Sequence, residues 1–267
     1  MDIHDLGGEW GTMRVTTLGA CVLSWRPTGA EDVLFVSRRA DPTPGSMWHG
    51  GIPVCAPWFG CGQGDWAVPH PHGLVSRVAW RTESGEQDPE GGRVVLGLAS
   101  DSVSHLPGAE RYPADVSYRL EVNAGAASLS VALSITSPTQ GVSVDAALHP
   151  YLRVDTPRAV LTGLEGVPFD DAAHGWEPGV QSGPFSFGPA SDRVYKSAPS
   201  LLLRDGARSR LLTNKGASRT VVWNPGPPGD LTEEWAQFVC VEYGNVRDGA
   251  VWIPAGGSHT LSMTIEV

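Results

Sequence analysis

One carboxylate lies inside an apolar run, where few charged residues are found. Glu242 follows Val241 and the run Phe238–Cys240 in a segment with the character of a β-strand. A buried carboxylate is costly unless it is paired, protonated or used in a reaction. Burial also raises its pKa towards the range in which a general base works near neutral pH. Glu242 is therefore the first candidate for acid–base chemistry.

Histidines supply the second kind of titratable group. His149 ends an alternating apolar run, a position where an isolated histidine is usually a hydrogen-bonded core residue. His70 and His72 lie two residues apart and could ligate a metal ion, as in cupin-like sites. A metal would require a further histidine or carboxylate that the sequence does not place beside them. We therefore predict a site without a metal.

Two further segments place polar residues among turns. The run from Trp48 to Gly60 combines a Gly-Gly pair, which lets a ligand approach the backbone, with rigid proline and tryptophan side chains. The run Ala190–Tyr195 contains Asp192 and by itself indicates a turn into a strand. The sequence has no GxSxG nucleophile elbow, no GxxxxGK[ST] phosphate loop and no dinucleotide fingerprint. The sequence therefore gives no motif evidence for a serine hydrolase of this type, a P-loop nucleotide-binding protein or a dinucleotide-dependent dehydrogenase.

Short strands must position these residues. The 33 glycines and 22 prolines interrupt the 267-residue chain at short intervals, and no long amphipathic helical pattern occurs. The sequence therefore predicts an all-β sandwich or barrel, formed by residues 1–267 as one domain, with an exposed hairpin loop over Glu83–Gly92. The clearest strand-like runs are Arg93–Leu98, Val116–Val122, Ser128–Ile135, Thr220–Trp223 and Thr260–Ile265.

Composition and charge limit the expected cellular location and the expected binding partners of the protein. The net charge is −10 and no basic run offsets it, so nucleic acid is not an expected partner. The N-terminus lacks the pattern of a signal peptide, and no apolar run approaches the roughly 18 residues that span a bilayer. We expect a cytoplasmic protein without a membrane partner. Its four scattered cysteines are expected to be reduced and mostly buried, and they are Cys21, Cys55, Cys61 and Cys240.

Seven segments in order resemble the glucose-6-phosphate 1-epimerase family, also called hexose-6-phosphate mutarotases, within the aldose 1-epimerase superfamily. The resemblance extends over nearly the whole chain. The segments are Leu18–Trp25 with Asp32–Ser37, Gly50–Cys55 with Pro57–Gly60, His72-Gly73 with Trp80, Leu148–Val154, Asp192–Tyr195, Trp223–Pro225 and Phe238–Val246.

This resemblance implies a galactose-mutarotase-like β-supersandwich that holds a small-molecule sugar or sugar phosphate in a groove on one sheet face. It implies that His149 and Glu242 are the catalytic acid and base, that His72 lies close to the sugar ring and that Asp192 holds sugar hydroxyls. No cofactor is implied. The implied reaction is anomer interconversion of a hexose 6-phosphate such as glucose 6-phosphate. Two alternatives stay open: a mutarotase of a non-phosphorylated aldose, and a carbohydrate-binding module with little turnover.

Three aromatic residues are candidates to line the groove, because aromatic rings suit the apolar face of a sugar. They are Trp48, Trp58 and Tyr151.

The chain departs from the family where the family engages phosphate. The family usually has arginine before the Gly-Gly-Ile-Pro run, where this chain has His49, and arginine four residues after His72, where it has Ser76. Arg77 follows one place later and would reach the site only if the backbone bulged. Histidine and serine do not reproduce the bidentate bonds of arginine to phosphate. We keep His49, Ser76 and Arg77 as substrate-binding candidates and predict a weakened preference for phosphorylated sugars.

Overall fold

The computed structural model describes residues 1–40, 43–62, 66–188, 190–206, 208–227 and 234–267. Over these residues the chain forms short strands joined by tight turns, as the glycine and proline spacing predicts. The strands are β1 (Ile3–Gly8), β2 (Gly11–Thr16), β3 (Val22–Pro27), β4 (Val54–Cys55), β5 (Arg81–Gln87), β6 (Gly91–Ala99), β7 (Ser117–Gly125), β8 (Ser128–Ser137), β9 (Val142–Val144), β10 (Ala146–Leu148), β11 (Tyr151–Arg153), β12 (Ala159–Thr162), β13 (Pro168–Asp171), β14 (Glu177–Val180), β15 (Phe185–Ser186), β16 (Ser191–Tyr195), β17 (Leu201–Asp205), β18 (Arg208–Lys215), β19 (Arg219–Asn224), β20 (Phe238–Asn245), β21 (Val251–Ile253) and β22 (Gly257–Glu266).

The helices found within the described ranges are all single 3-10 turns. They cover Val75–Arg77, Ser100–Val103, Ala109–Arg111, Thr156–Arg158, Ala172–His174, Trp235–Gln237 and Arg247–Gly249. None of the helices in these ranges is long and apolar enough to cross a membrane.

Two large antiparallel sheets dominate the architecture. The nine-stranded sheet has the order β15-β12-β17-β18-β22-β8-β7-β6-β5. The eight-stranded sheet has the order β14-β13-β16-β19-β20-β10-β4, and β11 pairs with β20 beside β10. A three-stranded sheet β1-β2-β3 and a two-stranded sheet β21-β9 complete the fold. The predicted all-β class is confirmed, and each of the five strand-like runs lies almost entirely within a strand.

The main core lies between the two large sheets. Alternate residues of β8 and β22, such as Leu133 and Met263, point into it from the nine-stranded sheet. Val222 and Val241 point into it from the eight-stranded sheet. Burial of each large aliphatic side chain contributes roughly 1.5–3 kcal/mol to folding, so this core holds the two sheets together.

Strand β20 is buried on both of its faces. Val241 and Tyr243 point into the main core, where the Tyr243 hydroxyl lies 2.7 and 3.0 Å from two backbone carbonyl oxygens. Phe238, Cys240 and Glu242 point to the opposite face of the sheet. The continuous apolar character of this run is therefore that of a central strand covered on both sides.

The hairpin expected over Glu83–Gly92 is present, but its loop is shorter than predicted. Strand β5 continues to Gln87 and β6 begins at Gly91, so the turn itself covers residues 88–90. The Asp88 carboxylate accepts the amides of Glu90 and Gly91 at 2.8 and 2.9 Å and closes the turn. Of the four cysteines, all free thiols, Cys61 is exposed and the other three are buried.

Candidate active site

The face of the eight-stranded sheet that points away from the main core forms the floor of a cavity of about 350 Å³. Loops that include His49, Phe59 and His72 form one wall. The floor residues are Asp192 and Val194 on β16, Val221 and Trp223 on β19, Glu242 on β20 and Tyr151 on β11. The cavity is large enough for a monosaccharide.

The alternation of side chains along strands explains why the floor residues meet. Val194 pairs with Val221, and Val221 pairs with Glu242, so these residues form one row across three strands. Asp192 and Trp223 form the next row on the same face, two positions along each strand. The register thus brings carboxylates from β16 and β20 to one surface.

His149 and Glu242 are in direct contact. His149 lies between β10 and β11, and its amide donates to the Pro53 carbonyl oxygen at 3.0 Å. Its ring stacks on Tyr151 with centroids 5.0 Å apart and an interplanar angle of 12°. The Nε2 atom of His149 lies 3.4 Å from Oε1 of Glu242, and the two residues are only 4% and 1% exposed. The structure therefore brings the predicted acid and base together.

Burial moves the pKa values of this pair in opposite directions. Desolvation, with a smaller effect of the Asp192 charge, raises the pKa of Glu242 well above its usual value. Desolvation, with a smaller effect of His72, lowers the pKa of His149 well below its usual value. Burial thus disfavours the charged form of each group, the carboxylate of Glu242 and the imidazolium of His149. When they do carry charge, the carboxylate is a stronger base and the imidazolium a stronger acid than usual.

Each member of the pair also carries one buried polar atom that has no hydrogen bond within the described part of the chain. These atoms are Nδ1 of His149 and Oε2 of Glu242. Buried polar atoms are usually satisfied, because leaving one unpaired costs roughly 1–3 kcal/mol. Unpaired atoms on both groups are typical of a site that binds a polar ligand.

His72 adopts a strained conformation beside His149. Its φ is +62°, and its ring lies edge-to-face with that of His149, with centroids 5.4 Å apart. The Nδ1 atom accepts the Gly60 amide at 3.4 Å, which leaves the proton of the neutral ring on Nε2. Desolvation, assisted by the Arg77 charge, lowers the pKa of His72 to about 4. His72 therefore stays neutral near pH 7 and can donate a hydrogen bond.

The loop that carries His72 depends on the next residue. Gly73 has φ +74°, and a Cβ atom there would lie 2.0 Å from the Ala56 carbonyl oxygen. Only glycine fits this close approach, so the His72-Gly73 pair is required by the backbone geometry.

Asp192 lies in the same cavity as the catalytic pair. Burial, assisted by the Asp171 charge and opposed by the Arg247 charge, raises its pKa to about 6. Asp192 is therefore mostly ionised near pH 7 and can accept hydrogen bonds from hydroxyl groups.

The phosphate-binding candidates are distributed differently. His49 is exposed and lines the cavity, and it also lines an adjoining cavity of about 630 Å³ together with Arg39. Ser76 and Arg77 lie in the 3-10 turn Val75–Arg77 and are not among the residues that line either cavity. The Ser76 hydroxyl is buried elsewhere. The structure thus places His49 at the site, but not Ser76.

Arg77 faces the loop of His72 from behind. Its guanidinium group donates to the carbonyl oxygens of Gly73, Gly45 and Pro71 at 3.2, 2.6 and 3.0 Å. Arg77 could reach the cavity only through a strand bulge, and the segment is instead a 3-10 turn with the guanidinium held by three carbonyl oxygens. Arg77 therefore supports the loop.

Of the aromatic candidates, Tyr151 lines the cavity and the two tryptophans do not. Trp48 is buried and donates to the Leu18 carbonyl oxygen at 3.2 Å. Trp58 donates to the His70 carbonyl oxygen at 2.9 Å and packs against Trp66 in the core. The described residues contain no cluster of three or more potential metal ligands, at His70 or elsewhere.

Two residues that the sequence did not single out lie at the cavity rim. Trp176 and Arg247 both line it, and the Arg247 Cζ atom lies 3.6 Å from the centroid of the Trp176 ring. Both have positive φ, +65° and +56°. A non-glycine residue in this conformation carries no sequence signal, so only the structure reveals the pair.

Comparison with known proteins identifies the family. The sequence profile described as Aldose 1-epimerase matches residues 6–266. The chain belongs to the aldose 1-epimerase family. This aldose 1-epimerase is accordingly an isomerase that acts at the anomeric centre of a sugar, and the resemblance noted in its motifs is confirmed.

Relatives refine the comparison. A protein of Escherichia coli K12 that bears the provisional name glucose-6-phosphate 1-epimerase is 28% identical over 236 residues, covering 84% of this chain and 76% of that protein. A protein of Cenchrus ciliaris with the same provisional name is 29% identical over 248 residues, covering 84% of this chain and 72% of that protein.

Solved structures show the same fold. A provisionally named mutarotase of Salmonella typhimurium superposes with a TM-score of 0.85 at 25% identity, covering 98% of this aldose 1-epimerase and 88% of that chain. A galactose mutarotase-like protein of Clostridium acetobutylicum superposes with a TM-score of 0.72 at 10% identity, covering 98% and 93% of the two chains. The predicted galactose-mutarotase-like fold is confirmed.

Proposed function

We propose that this aldose 1-epimerase interconverts the anomers of a hexose 6-phosphate such as glucose 6-phosphate, with Glu242 as general base and His149 as general acid. The observation that carries the proposal is the contact between these two buried side chains, 3.4 Å apart on the floor of a sugar-sized cavity. The neighbouring floor residues Val194 and Val221 are apolar, so no other group on this row competes for the proton.

The chemistry requires an acid and a base that are close neighbours. Glu242 removes the proton from the C1 hydroxyl while His149 protonates the ring oxygen, and the bond between C1 and the ring oxygen breaks to give the open-chain aldehyde. Rotation about C1–C2 exposes the other face of the aldehyde. The ring then closes as both protons return, so enzyme and sugar end in balance. Because both reacting oxygens are bonded to C1, adjacent catalytic groups suit this step.

Burial affects both transfers in two ways. It makes an ionised Glu242 a stronger base and a protonated His149 a stronger acid, and it lowers the share of molecules in which both groups are charged. Each positioned proton transfer contributes about 10²–10⁴-fold to a rate. His72, with its proton on Nε2, is suited to donate to a sugar oxygen beside His149. The reaction requires no redox or metal cofactor.

The position of the phosphate follows from the connectivity of the ring. C6 is attached to C5, the other neighbour of the ring oxygen, so it leaves the ring on the side of His149. His72 lies beside His149, with ring centroids 5.4 Å apart, and His49 lines the same cavity. His49 opens onto the adjoining cavity, where Arg39 is the second basic residue. His49 and Arg39 are therefore the basic residues available to a phosphate, and Asp192, which lines the same adjoining cavity, would repel it.

We propose that the preference for phosphorylated sugars is weak. The names of the curated relatives refer to glucose 6-phosphate, which supports a phosphorylated substrate. In this chain, however, the position before Gly50 holds His49, and the guanidinium of Arg77 is occupied by backbone carbonyls. An exposed histidine and an exposed Arg39 bind a phosphate more weakly than the two arginines that the family usually has, since charge-assisted hydrogen bonds weaken where water has access.

NMR exchange spectroscopy of the purified protein tests the reaction. Cross-peaks between the α and β anomers would be measured for glucose, galactose, glucose 6-phosphate and galactose 6-phosphate, with Glu242→Gln as the matched inactive control. We expect exchange well above the uncatalysed rate for at least one hexose and none above it in the variant. Sugar binding without accelerated exchange would instead identify a carbohydrate-binding module.

A further inference from the structure

The stacked residues Trp176 and Arg247, here called the rim pair, come from two separate connections. Trp176 follows the 3-10 turn Ala172–His174, and Arg247 begins a 3-10 turn just after β20. A left-handed conformation of a non-glycine residue costs on the order of 1–3 kcal/mol. Two such residues in contact over a cavity are therefore held in place against strain. Such strain concentrates at ligand-binding sites.

Backbone hydrogen bonds hold the rim pair in this conformation. The Trp176 amide donates to the Asp171 carbonyl oxygen at 2.8 Å, and the Arg247 carbonyl oxygen accepts the Ala250 amide at 3.0 Å. Trp176 is nevertheless 43% exposed, an unusual state for the largest apolar side chain. Its ring has one face against Arg247 and is open towards the cavity mouth, where it can cover a ligand.

The charge of Arg247 also acts on Asp192. Of the described residues that line the catalytic cavity, Arg247 is the single arginine. Asp171, whose charge also acts on Asp192, is already paired with Arg193 at 2.9 Å and with His174 at 3.1 Å. Arg247 is therefore the cation that faces Asp192 across the cavity, and its charge favours the ionised carboxylate.

We propose that Asp192 and the rim pair form a clamp for the vicinal hydroxyls on C2 and C3 of the sugar. A hydroxyl both donates and accepts hydrogen bonds. The Asp192 carboxylate accepts from the diol, the Arg247 guanidinium donates to it, and the Trp176 ring covers the C–H face of the same carbons. Arg247 and Trp176 thereby become specificity-determining residues.

The assignment to C2 and C3 rests on the orientation in the proposed function. The C1 hydroxyl faces Glu242, and C2 is the ring carbon bonded to C1. Asp192 lies one row from Glu242 on the same sheet face, and its charge acts on that residue. His149 faces the ring oxygen, the other neighbour of C1, so C2 lies on the far side of C1 from His149. The diol next to C1 is therefore the part of the sugar that meets Asp192 and the rim pair.

Deoxy sugars test the clamp. Dissociation constants from calorimetry and kcat/KM from NMR exchange would be measured for glucose, 2-deoxyglucose, 3-deoxyglucose and glucose 6-phosphate. The variants are Arg247→Ala, Arg247→Gly and Arg247→Lys. Glycine adopts φ +56° without strain, so Arg247→Gly removes the guanidinium even if alanine perturbs the turn. Arg204→Ala, at an exposed position on β17, is the matched control.

We expect Arg247→Ala and Arg247→Gly to weaken glucose binding about tenfold or more, the size of one hydrogen bond to a charged group. The change in kcat should be within about threefold, because the clamp does not touch the reacting atoms. The loss of affinity caused by these substitutions should be much smaller for the deoxy sugar that lacks the hydroxyl contacted by Arg247. Arg247→Lys should recover part of the affinity, and Arg204→Ala should match the wild type.

The pH dependence of binding provides a second measurement. The charged groups that face Asp192 are Asp171, Arg247, Glu242 and His49. Removal of the Arg247 charge raises the pKa of Asp192 above about 6, so the ionised form is lost at a higher pH as the solution is acidified. The pH below which glucose binding weakens should shift upward in Arg247→Gly. A residue with a purely structural role would not cause this shift.

Three results would overturn the clamp. Equal losses for glucose and both deoxy sugars would show that Arg247 contacts neither hydroxyl, and a loss confined to glucose 6-phosphate would show that Arg247 binds the phosphate. If the wild type binds none of the sugars tested, both the clamp and the proposed function are overturned. If the wild type binds sugars in the expected pattern but does not accelerate exchange, the clamp stands and the proposed reaction is wrong.

Discussion

Neighbouring residues on the two faces of β20 differ in whether their buried polar groups are hydrogen-bonded. On the core face, the Tyr243 hydroxyl lies within hydrogen-bond distance of the Pro199 and Leu212 carbonyl oxygens. On the cavity face, the one ion-pair contact of Glu242 among the described residues is with His149, and its Oε2 atom has no hydrogen bond there. Both side chains are about equally buried. The difference therefore lies in hydrogen-bond satisfaction and not in exposure.

This contrast separates stability from catalysis. A satisfied buried hydroxyl contributes roughly 0.5–1.5 kcal/mol per hydrogen bond, while an unsatisfied buried polar atom costs roughly 1–3 kcal/mol. Tyr243 thus helps to hold the two sheets together. Glu242 weakens the fold locally and gains reactivity from the same burial.

The largest expected effect comes from the cavity face of β20. Glu242→Gln should lower kcat for anomer exchange by about 10³-fold or more, because glutamine is nearly isosteric but cannot take the C1 proton. The melting temperature should stay near or above that of the wild type, since a neutral amide is easier to bury. NMR exchange and thermal melts of the same preparation measure both quantities.

Tyr243→Phe is the matched variant on the core face. It should lower the free energy of unfolding by about 1 kcal/mol and leave kcat close to that of the wild type. Near-normal exchange in Glu242→Gln would show that another group is the base. A large loss of kcat in a stably folded Tyr243→Phe would show that the two faces are not independent.

The second prediction ranks the two histidines at the cavity. His149→Asn should lower kcat by about 10²–10³-fold, because it removes the donor to the ring oxygen. His72→Ala should lower kcat by about tenfold, because His72 donates a supporting hydrogen bond and does not transfer a proton. Measurement of kcat for both variants with the same sugar shows which substitution is the more damaging. If His72→Ala is the more damaging change, the two roles are reversed.

The third prediction concerns pH. The reaction requires an ionised Glu242 and a protonated His149, so the limbs of the kcat/KM profile report the pKa values of the pair and not of one residue. Asp192→Asn removes a negative charge that raises the pKa of Glu242, so the limb that depends on Glu242 should move to lower pH. Profiles of kcat/KM from pH 4 to 9 test the shift. A profile in which neither limb moves would mean that Asp192 does not act on the base.

The smallest expected effect concerns the phosphate. The ratio of kcat/KM for glucose 6-phosphate to that for glucose should be modest, and Arg77→Ala should lower both values by the same few-fold factor. The reason is that Arg77 supports the loop of His72 through three carbonyls. A selective loss for glucose 6-phosphate in Arg77→Ala would mean that the guanidinium leaves those carbonyls to bind phosphate.

Much of this architecture could be predicted from the sequence. Period-2 runs and turn residues predicted the strands, because alternation reports directly which side chains face the core. The apolar context of Glu242 marked it as unusual, and the order of motifs associated it with His149, which the structure places in contact with it. The extent of the chain as one domain and its cytoplasmic location stay predictions.

Other site features depend on geometry that no local pattern encodes. The position of Ser76 in a 3-10 turn, and not in a strand, directs its hydroxyl away from the cavity. Trp176 and Arg247 meet only because two distant connections converge with left-handed backbones. Trp48 and Trp58 have the composition of a sugar-binding wall but are buried in the core.

The placement of site residues on strands or on connections affects how the substrate preference of this enzyme can evolve. Glu242 lies on a central strand that is hydrogen-bonded on both sides, whereas His49, His72, Trp176 and Arg247 all lie on connections. Insertions and substitutions in connections disturb a fold far less than changes in paired strands. The contacts of His49, Trp176 and Arg247 with a sugar could therefore change without any change in the strands. Glu242 and its reactivity would be inherited while the choice of substrate evolves.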